Sequence, residues 1–272
     1  MSKTGRNFMG VWLILSMLSV AVFAESITIK GSTTVFPIAQ KAAEYFMDDN
    51  HDVDISVQGG GSGVGIASII DGTADIGDAS RPIKNKELNK AASRGVRPKA
   101  HVIAMDGIAV IVHPSNSIGG LSKQQIKDIY TGKISFWSGV GGKREKIVVI
   151  SRDSASGTFE TFNKLALGKA KVRPDALLQA SNQAVLNTVA RTPGAIGYVG
   201  LGFVNSSVNA IEVDGVMASK ETVLSGEYSL ARPLFMYTNG KPKGVVKEFI
   251  DYIKSDEGQR LVEDVGYIGL LD

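Results

Sequence analysis

The 272-residue chain has no cysteine, only three histidines, and a formal charge of just +3. Without thiols there are no disulfide staples, no thiolate metal site and no cysteine to carry a lipid anchor. His51, His101 and His113 stand at no spacing that would pair two imidazoles on one metal, so neither a metal nor any other cofactor is expected. The near balance of charge gives no general case for nucleic acid or an acidic membrane, and any anion site must be local. Long apolar runs are also scarce. The one present, Phe8 to Phe23, follows Lys3 and Arg6 and ends with small residues at Val22 and Ala24, the pattern of a signal peptide over residues 1–24 cleaved after Ala24. A membrane-anchor reading of the same run is weakened by Gly10 and several serines. Cleavage would remove two cations and no acid, leaving 248 residues with a charge of +1. The mature chain is therefore expected to be soluble and exported to the periplasm, full secretion being the alternative, and long enough for two lobes, each with its own core.

Nucleotide and hydrolase motifs are missing as well. "GGGSGVG" (59–65) lacks the Gly-Lys-Ser/Thr of a phosphate loop, and its spacing after Gly63 breaks the dinucleotide pattern G-x-G-x-x-G. Neither "SASGT" nor "GGSGVG" is a G-x-S-x-G nucleophile elbow. Ser156 with a distant histidine as base stays open as a secreted phosphoesterase or hydrolase, because triads assemble from remote positions. An adhesin or signalling module on the same scaffold is a third class.

What the sequence does have is one chemistry three times over. "SITIKG" alternates Ile27 and Ile29 as a strand and runs into "GSTTVFPIAQKAAEYF", where Ile38, Ala42, Tyr45 and Phe46 recur at helical spacing and Pro37 suits the first turn. "VDISVQ" repeats the strand, "GGGSGVG" the loop, and Ile66, Ile69 and Ile70 the helix face. "KIVVIS" leads into "RDSASGT", and Phe159, Phe162 and Leu165 mark a third helix. Each unit sets glycine, serine and threonine at a helix start, where free backbone N–H groups and the positive dipole end point outward. Ordinary N-capping accounts for any one of them; three together, each approached through glycine, point to a ligand. Arg152 adds a planar fork that can grip two oxygens of a tetrahedral anion, with a salt bridge to Asp153 or Glu160 as its bland alternative. Arg81, in "DIGDASRP", is a second candidate.

"GSTTVFPI", "GGGSGVG", "ADIGDASRP", "DGIAVIVHP", "LSKQQIKDIYTGKISFW", "SRDSASGTFETF" and "GAIGYVG" together resemble the phosphate-binding proteins of bacterial ABC transporters, in order and over nearly the whole mature chain. The resemblance implies an α/β, two-lobed periplasmic binding protein fold of the type II-like class, with crossover strands joining the lobes and a dehydrated oxyanion between them. It implies a receptor, not an enzyme, that delivers inorganic phosphate to ABC transporter permease subunits. Carried over by position, Thr33 and Thr34 would donate from the first helix start and Ser62 from the second. Arg152 would pair with the anion, and Ser156, Gly157 and Thr158 would complete the cage. Ser80 stands where several members carry an aspartate that accepts the phosphate proton, which opens sulfate, molybdate or tungstate as alternative ligands. Asp78 and Asp106 are proposed as substitutes for that acceptor.

The expected division is 25–112 with 231–272 as one discontinuous lobe and 113–230 as the other, in a monomer. Ser122-x-x-Gln125 fits a capping box and Gly132 a helix stop. Trp137 and Phe136 are read as core and loop anchor, and "GGKREK" (141–146) as a solvated hairpin and a distant candidate for permease contact.

Overall fold

Alternation of Ile27 and Ile29 builds β1 (Glu25–Gly31), and both side chains are buried. The computed structural model describes residues 25–270, so the expected signal peptide lies outside the described residues. β2 (Val53–Gln58) runs parallel to β1 with Ile27 opposite Ile55 and Ile29 opposite Val57. Between them α1 (Phe36–Asp49) carries Pro37 in its first turn and buries Ile38, Ala42 and Phe46. Tyr45, expected on that face, is 46% exposed, with the Lys41 ammonium over its ring. α2 (Ser62–Asp71) covers the opposite side of the sheet with Ile66, Ile69 and Ile70. β3 (Ile76–Ala79) and α3 (Asn85–Ser93) follow, β3 lying parallel to β1.

β4 (Pro98–Val112) is the long strand that changes company. From Pro98 to Gly107 it pairs antiparallel with β10 (Ala231–Asn239), and from Ile108 to Val112 with β8 (Ala195–Gly200). The strand order is therefore β2-β1-β3-β10-β4-β8, continued by β6 (Val148–Arg152) and β7 (Leu177–Gln179). β5 (Gly120–Leu121) pairs with β9 (Asn209–Val213), which also pairs with β4. In this second half α4 (Lys123–Thr131) opens on the Ser122–Gln125 capping box and stops at left-handed Gly132. α5 (Gly157–Leu165), α6 (Asn182–Arg191) and the short α7 (Lys220–Leu224) follow, and α8 (Gly244–Lys254) and α9 (Asp256–Asp264) close the chain.

Two large cores result. Ile27, Ile29, Ile38, Phe46, Leu234, Phe249 and Val262 form the first. Ile66, Ile69, Ala79, Phe235 and Tyr237 make a satellite under α2. The second gathers Ile126, Tyr130, Trp137, Ile150, Phe162 and Tyr198, with Phe162 and Tyr198 stacked at 4.0 Å. Ile108 to Val112, placed with the first lobe from sequence, pack into this second core, because β4 switches partners at Gly107/Ile108 while the strand itself runs on to Val112. Trp137 is core, its indole N–H donating to Gly194 O at 2.9 Å, whereas the Phe136 side chain is 48% exposed while its backbone bridges to Lys146.

Candidate functional site

The strands of both halves end facing one another, and four helix starts meet there. At the head of α1, Ser32 Oγ accepts from the N–H groups of Thr34 (3.1 Å) and Val35 (3.4 Å). α2 begins after Gly61, whose φ is +95°, and a Cβ there would stand 2.7 Å from the Ala155 carbonyl oxygen of the facing half. Only glycine permits that approach, and Gly63 N donates to the same carbonyl at 3.0 Å. Ser156 caps α5 by accepting from Phe159 N at 3.1 Å, and Ser181 caps α6 by accepting from Ala184 N at 3.0 Å.

Side chains expected from sequence converge on this junction. Thr34 Oγ1 lies 2.9 Å from Thr158 Oγ1 across the two halves. Ser80 N donates to Ser62 Oγ at 2.9 Å, and the two serine oxygens are 3.2 Å apart. Gly157 is pressed against both; a Cβ there would be 2.2 Å from Ser62 Oγ and 2.8 Å from Ser80 Oγ. Arg152 donates through Nη2 to Thr33 Oγ1 (3.3 Å) and Ala180 O (3.0 Å), and through Nε to Gln179 O (2.9 Å). Its Nη1 is buried with no partner. Ser156 sits at the head of α5 beside Gly157, buried, with its oxygen turned to its own helix. Thr34, Ser62, Ser80, Ser156 and Thr158 are all buried.

Two residues at the junction escaped the sequence reading. Arg232, at the start of β10, is 3% exposed and gives Nε and Nη2 to Asp106 Oδ2 at 3.0 and 2.8 Å. Its Nη2 also reaches Thr34 Oγ1 (3.3 Å) and Thr158 Oγ1 (3.0 Å), and Nη1 reaches Ser80 O (3.1 Å). Asn182, heading α6, donates to Thr33 Oγ1 at 3.2 Å and Thr34 Oγ1 at 3.0 Å, while its own oxygen accepts from Gly200 N at 3.3 Å. Both carried a faint signal. Arg232 interrupts an apolar strand, and "SN" after β7 repeats the polar helix start of the other units.

Other candidates are engaged differently. Arg81 is engaged by Glu87 at 2.7 Å and by Glu160 of α5 at 3.1 Å. Asp106 accepts from Arg232 twice on Oδ2 and from Leu201 N on Oδ1 at 2.9 Å, so its charge is matched by Arg232; burial raises its proton affinity, and Arg232 and the Leu201 N–H oppose the rise. Asp78 is buried with Oδ1 unpartnered, and burial pushes its carboxyl well above the usual range. His101 bonds Thr238 and His113 bonds Ser115, His51 lies in the exposed turn before β2, and Ser156 Oγ has Phe159 N rather than an imidazole as its partner. No cluster of metal-ligating side chains occurs among the described residues.

Chemically the junction is donor-rich: a guanidinium whose charge burial disfavours, hydroxyls, and N–H groups at helix starts. Outside it a cleft of about 480 Å³ is lined by Thr33, Phe36, Pro37, Gly59, Ser181 and Phe203 among others.

Comparison with known proteins points the same way. The model of the PBP superfamily domain matches residues 21–257. The phosphate-binding protein PstS of Bacillus subtilis is 38% identical over 252 residues, covering 91% of this chain and 81% of its own. A phosphate ABC transporter substrate-binding protein from Clostridium perfringens, solved with bound phosphate, superposes with a TM-score of 0.85 at 36% identity, over 91% of this chain and all of the other. An ABC-type phosphate transport receptor from Vibrio cholerae gives a TM-score of 0.73 at 32% identity, over 89% of this chain and 99% of that one.

Proposed function

The chain belongs to the PBP superfamily and, within it, to the PstS phosphate-binding proteins, and on that premise we propose that it encloses one inorganic phosphate between two lobes and hands it to ABC transporter permease subunits. It is a transport receptor, not an enzyme. The observation that carries the reading is a buried guanidinium, Arg152, with Nη1 unpartnered, at a junction where Thr34 and Thr158 hydroxyls meet from the two halves. A buried donor without an acceptor is costly, and an anion oxygen would satisfy it.

In this reading Thr33, Ser62, Ser80, Arg152, Ser156, Gly157 and Thr158 hold the phosphate, and Thr34 acts through its hydroxyl contact with Thr158. Each well-placed helix start adds about 0.3–1 kcal/mol toward an anion, more where water is excluded. One lobe comprises 25–107 with 231–270 and the other 108–230, following the partner switch in β4. The protein works as an exported monomer, since the cage is complete within one chain.

A ligand that touches both lobes favours closure by its differential affinity for the closed state. Thr34, Ser62 and Ser80 wait on one side and Arg152, Gly157 and Thr158 on the other. The Ser62–Ser80 pair can accept the proton of hydrogen phosphate, because a hydroxyl either donates or accepts. The same freedom favours a second reading, reception of sulfate, molybdate or tungstate. Calorimetry with these four anions tests both: phosphate binding alone, or far tighter than the rest, supports the first, and preference for another oxyanion overturns it. A chromogenic phosphoester assay should show no turnover.

A further inference from the structure

Arg232 is odd for an anion site, because Asp106 neutralises it. A cation meant only to attract phosphate would be better left unpaired. What it does instead is visible in the hydroxyls around it. Thr33 Oγ1 receives hydrogen bonds from Arg152 Nη2 and Asn182 Nδ2, which fills both its lone pairs. Thr34 Oγ1 receives them from Asn182 Nδ2 and, at 3.3 Å, from the one Arg232 Nη2 hydrogen that Asp106 does not hold, which Thr34 shares with Thr158; with both its lone pairs engaged, Thr34 is the donor in its 2.9 Å contact with Thr158. Thr158 Oγ1 then accepts from Thr34 and from Arg232 Nη2, and its own proton has to leave in another direction. Asp106 holds the guanidinium in place through Nε and Nη2, and is itself held by Leu201 N.

We propose that Arg232, clamped by Asp106 and assisted by Asn182, is a positioning residue that turns the hydroxyls of Thr34 and Thr158 into one-way donors and thereby sets which oxyanions the closed cleft accepts. The proposal rests on the anion-receptor reading of the site. It divides the cage into a rigid half and an adaptive half. The threonine half can only donate and presents fixed protons to ligand oxygens that carry charge. The Ser62–Ser80 half can turn either way and takes the oxygen that bears the proton. If the threonines were released from Arg232 they could accept as well as donate, and the cage would lose its sense of which oxygens are protonated.

The test is calorimetry with phosphate and with sulfate on the full mature chain, beside thermal melts. Arg232→Lys keeps the charge opposite Asp106 and loses the fork that reaches both threonines. It should melt near the wild type yet bind phosphate about 10- to 100-fold more weakly, in line with the loss of charged hydrogen bonds. The phosphate-to-sulfate ratio should move with it. Thr158→Val removes one acceptor, so in a double-mutant cycle Arg232→Lys should cost much less in that background, a coupling that a merely structural role would not show. Asn182→Ala, which leaves the Asp106 pair intact, should shift the anion ratio in the same sense and serves if Arg232→Lys does not fold. An Arg232→Lys protein that binds phosphate within about twofold of wild type at an unchanged ratio, or whose loss simply adds to that of Thr158→Val, overturns the proposal. Should the wild type prefer molybdate to phosphate, the phosphate reading fails while the same variants, measured with molybdate, still decide the role of Arg232. A wild type that binds none of these anions overturns both.

Discussion

Three arginines lie across the junction of the two halves, and their neighbourhoods differ. Arg81 faces carboxylates: Glu87 from its own lobe and Glu160 from α5 opposite, with Lys84 also on Glu160. Arg152 faces only neutral acceptors, the hydroxyl of Thr33 and two backbone carbonyls, and keeps an unpartnered nitrogen. Arg232 lies between these cases, its charge matched by Asp106 and its remaining donors given to threonines. An arginine already matched by carboxylates has little charge left for a ligand and works as a clasp. One surrounded by dipoles keeps its charge, at the cost of burial, for something that arrives later. The difference separates closing the cleft from filling it.

Breaking the cleft-filling side should have the largest effect. Arg152→Ala removes the one buried arginine among the described residues that makes no ion pair with a carboxylate, and phosphate affinity in calorimetry should fall about 100-fold or more. Unchanged affinity would show that the charge pairing is not made. Gly157→Ala should come next. The added methyl carbon would stand 2.2 Å from Ser62 Oγ, so the halves cannot meet as they do here. Affinity should drop about tenfold or more, and solution scattering with saturating phosphate should still report an open shape. A compact, tight-binding Gly157→Ala protein would mean that the close approach is dispensable.

The clasp side is weaker because it is partly exposed. Glu160→Gln releases Arg81 and Lys84 from the opposite half, and phosphate affinity should fall only a few-fold, with less dependence on salt than in the wild type. A loss as large as that of Arg152→Ala would erase the distinction between clasp and cage.

Asp78 should matter least for binding, and its signature is in stability. It is buried, with no cation to pair it, so folding raises its pKa above the unfolded value of about 3.9. The folded state therefore binds the proton more tightly than the unfolded one, and stability falls as pH rises from about 4 toward the folded pKa. Asp78→Asn should raise the melting temperature by a few degrees at pH 8 and leave it nearly unchanged below pH 4, with phosphate affinity in calorimetry about the same as wild type. Equal melting of the two proteins at pH 8 would mean that the carboxyl finds a partner in solution.

Much of the frame is readable before any coordinates. The Ile27/Ile29 alternation, Pro37 at the first turn of α1, the Ser122–Gln125 box and the glycine-led helix starts are local signals, and local signals survive in a linear text. Contacts made at a distance are less legible. Tyr45 shares a helical period with Phe46 yet faces solvent, since the stripe that the sheet covers is narrower than the apolar pattern. Residues 108–112 read as the end of one strand, and only their partners reveal that the second half of β4 packs in another core. Asn182 and Arg232 were missed because their importance lies in which oxygens they touch.

The kind of chemistry available was set by the order of residues alone: helix starts rich in hydroxyls and N–H groups, glycines that let backbones approach, no thiols and no usable imidazole pair. Which arginine would be left with charge to offer was decided only by folding. Arg81 finds Glu87 six residues along and Glu160 from the opposite half, and Arg232 meets Asp106 across 126 positions, whereas among the described residues no carboxylate forms an ion pair with Arg152. A side chain carries the same charge wherever it stands in the sequence, but what that charge can do depends on the partners and the water that the folded chain brings to it or keeps away.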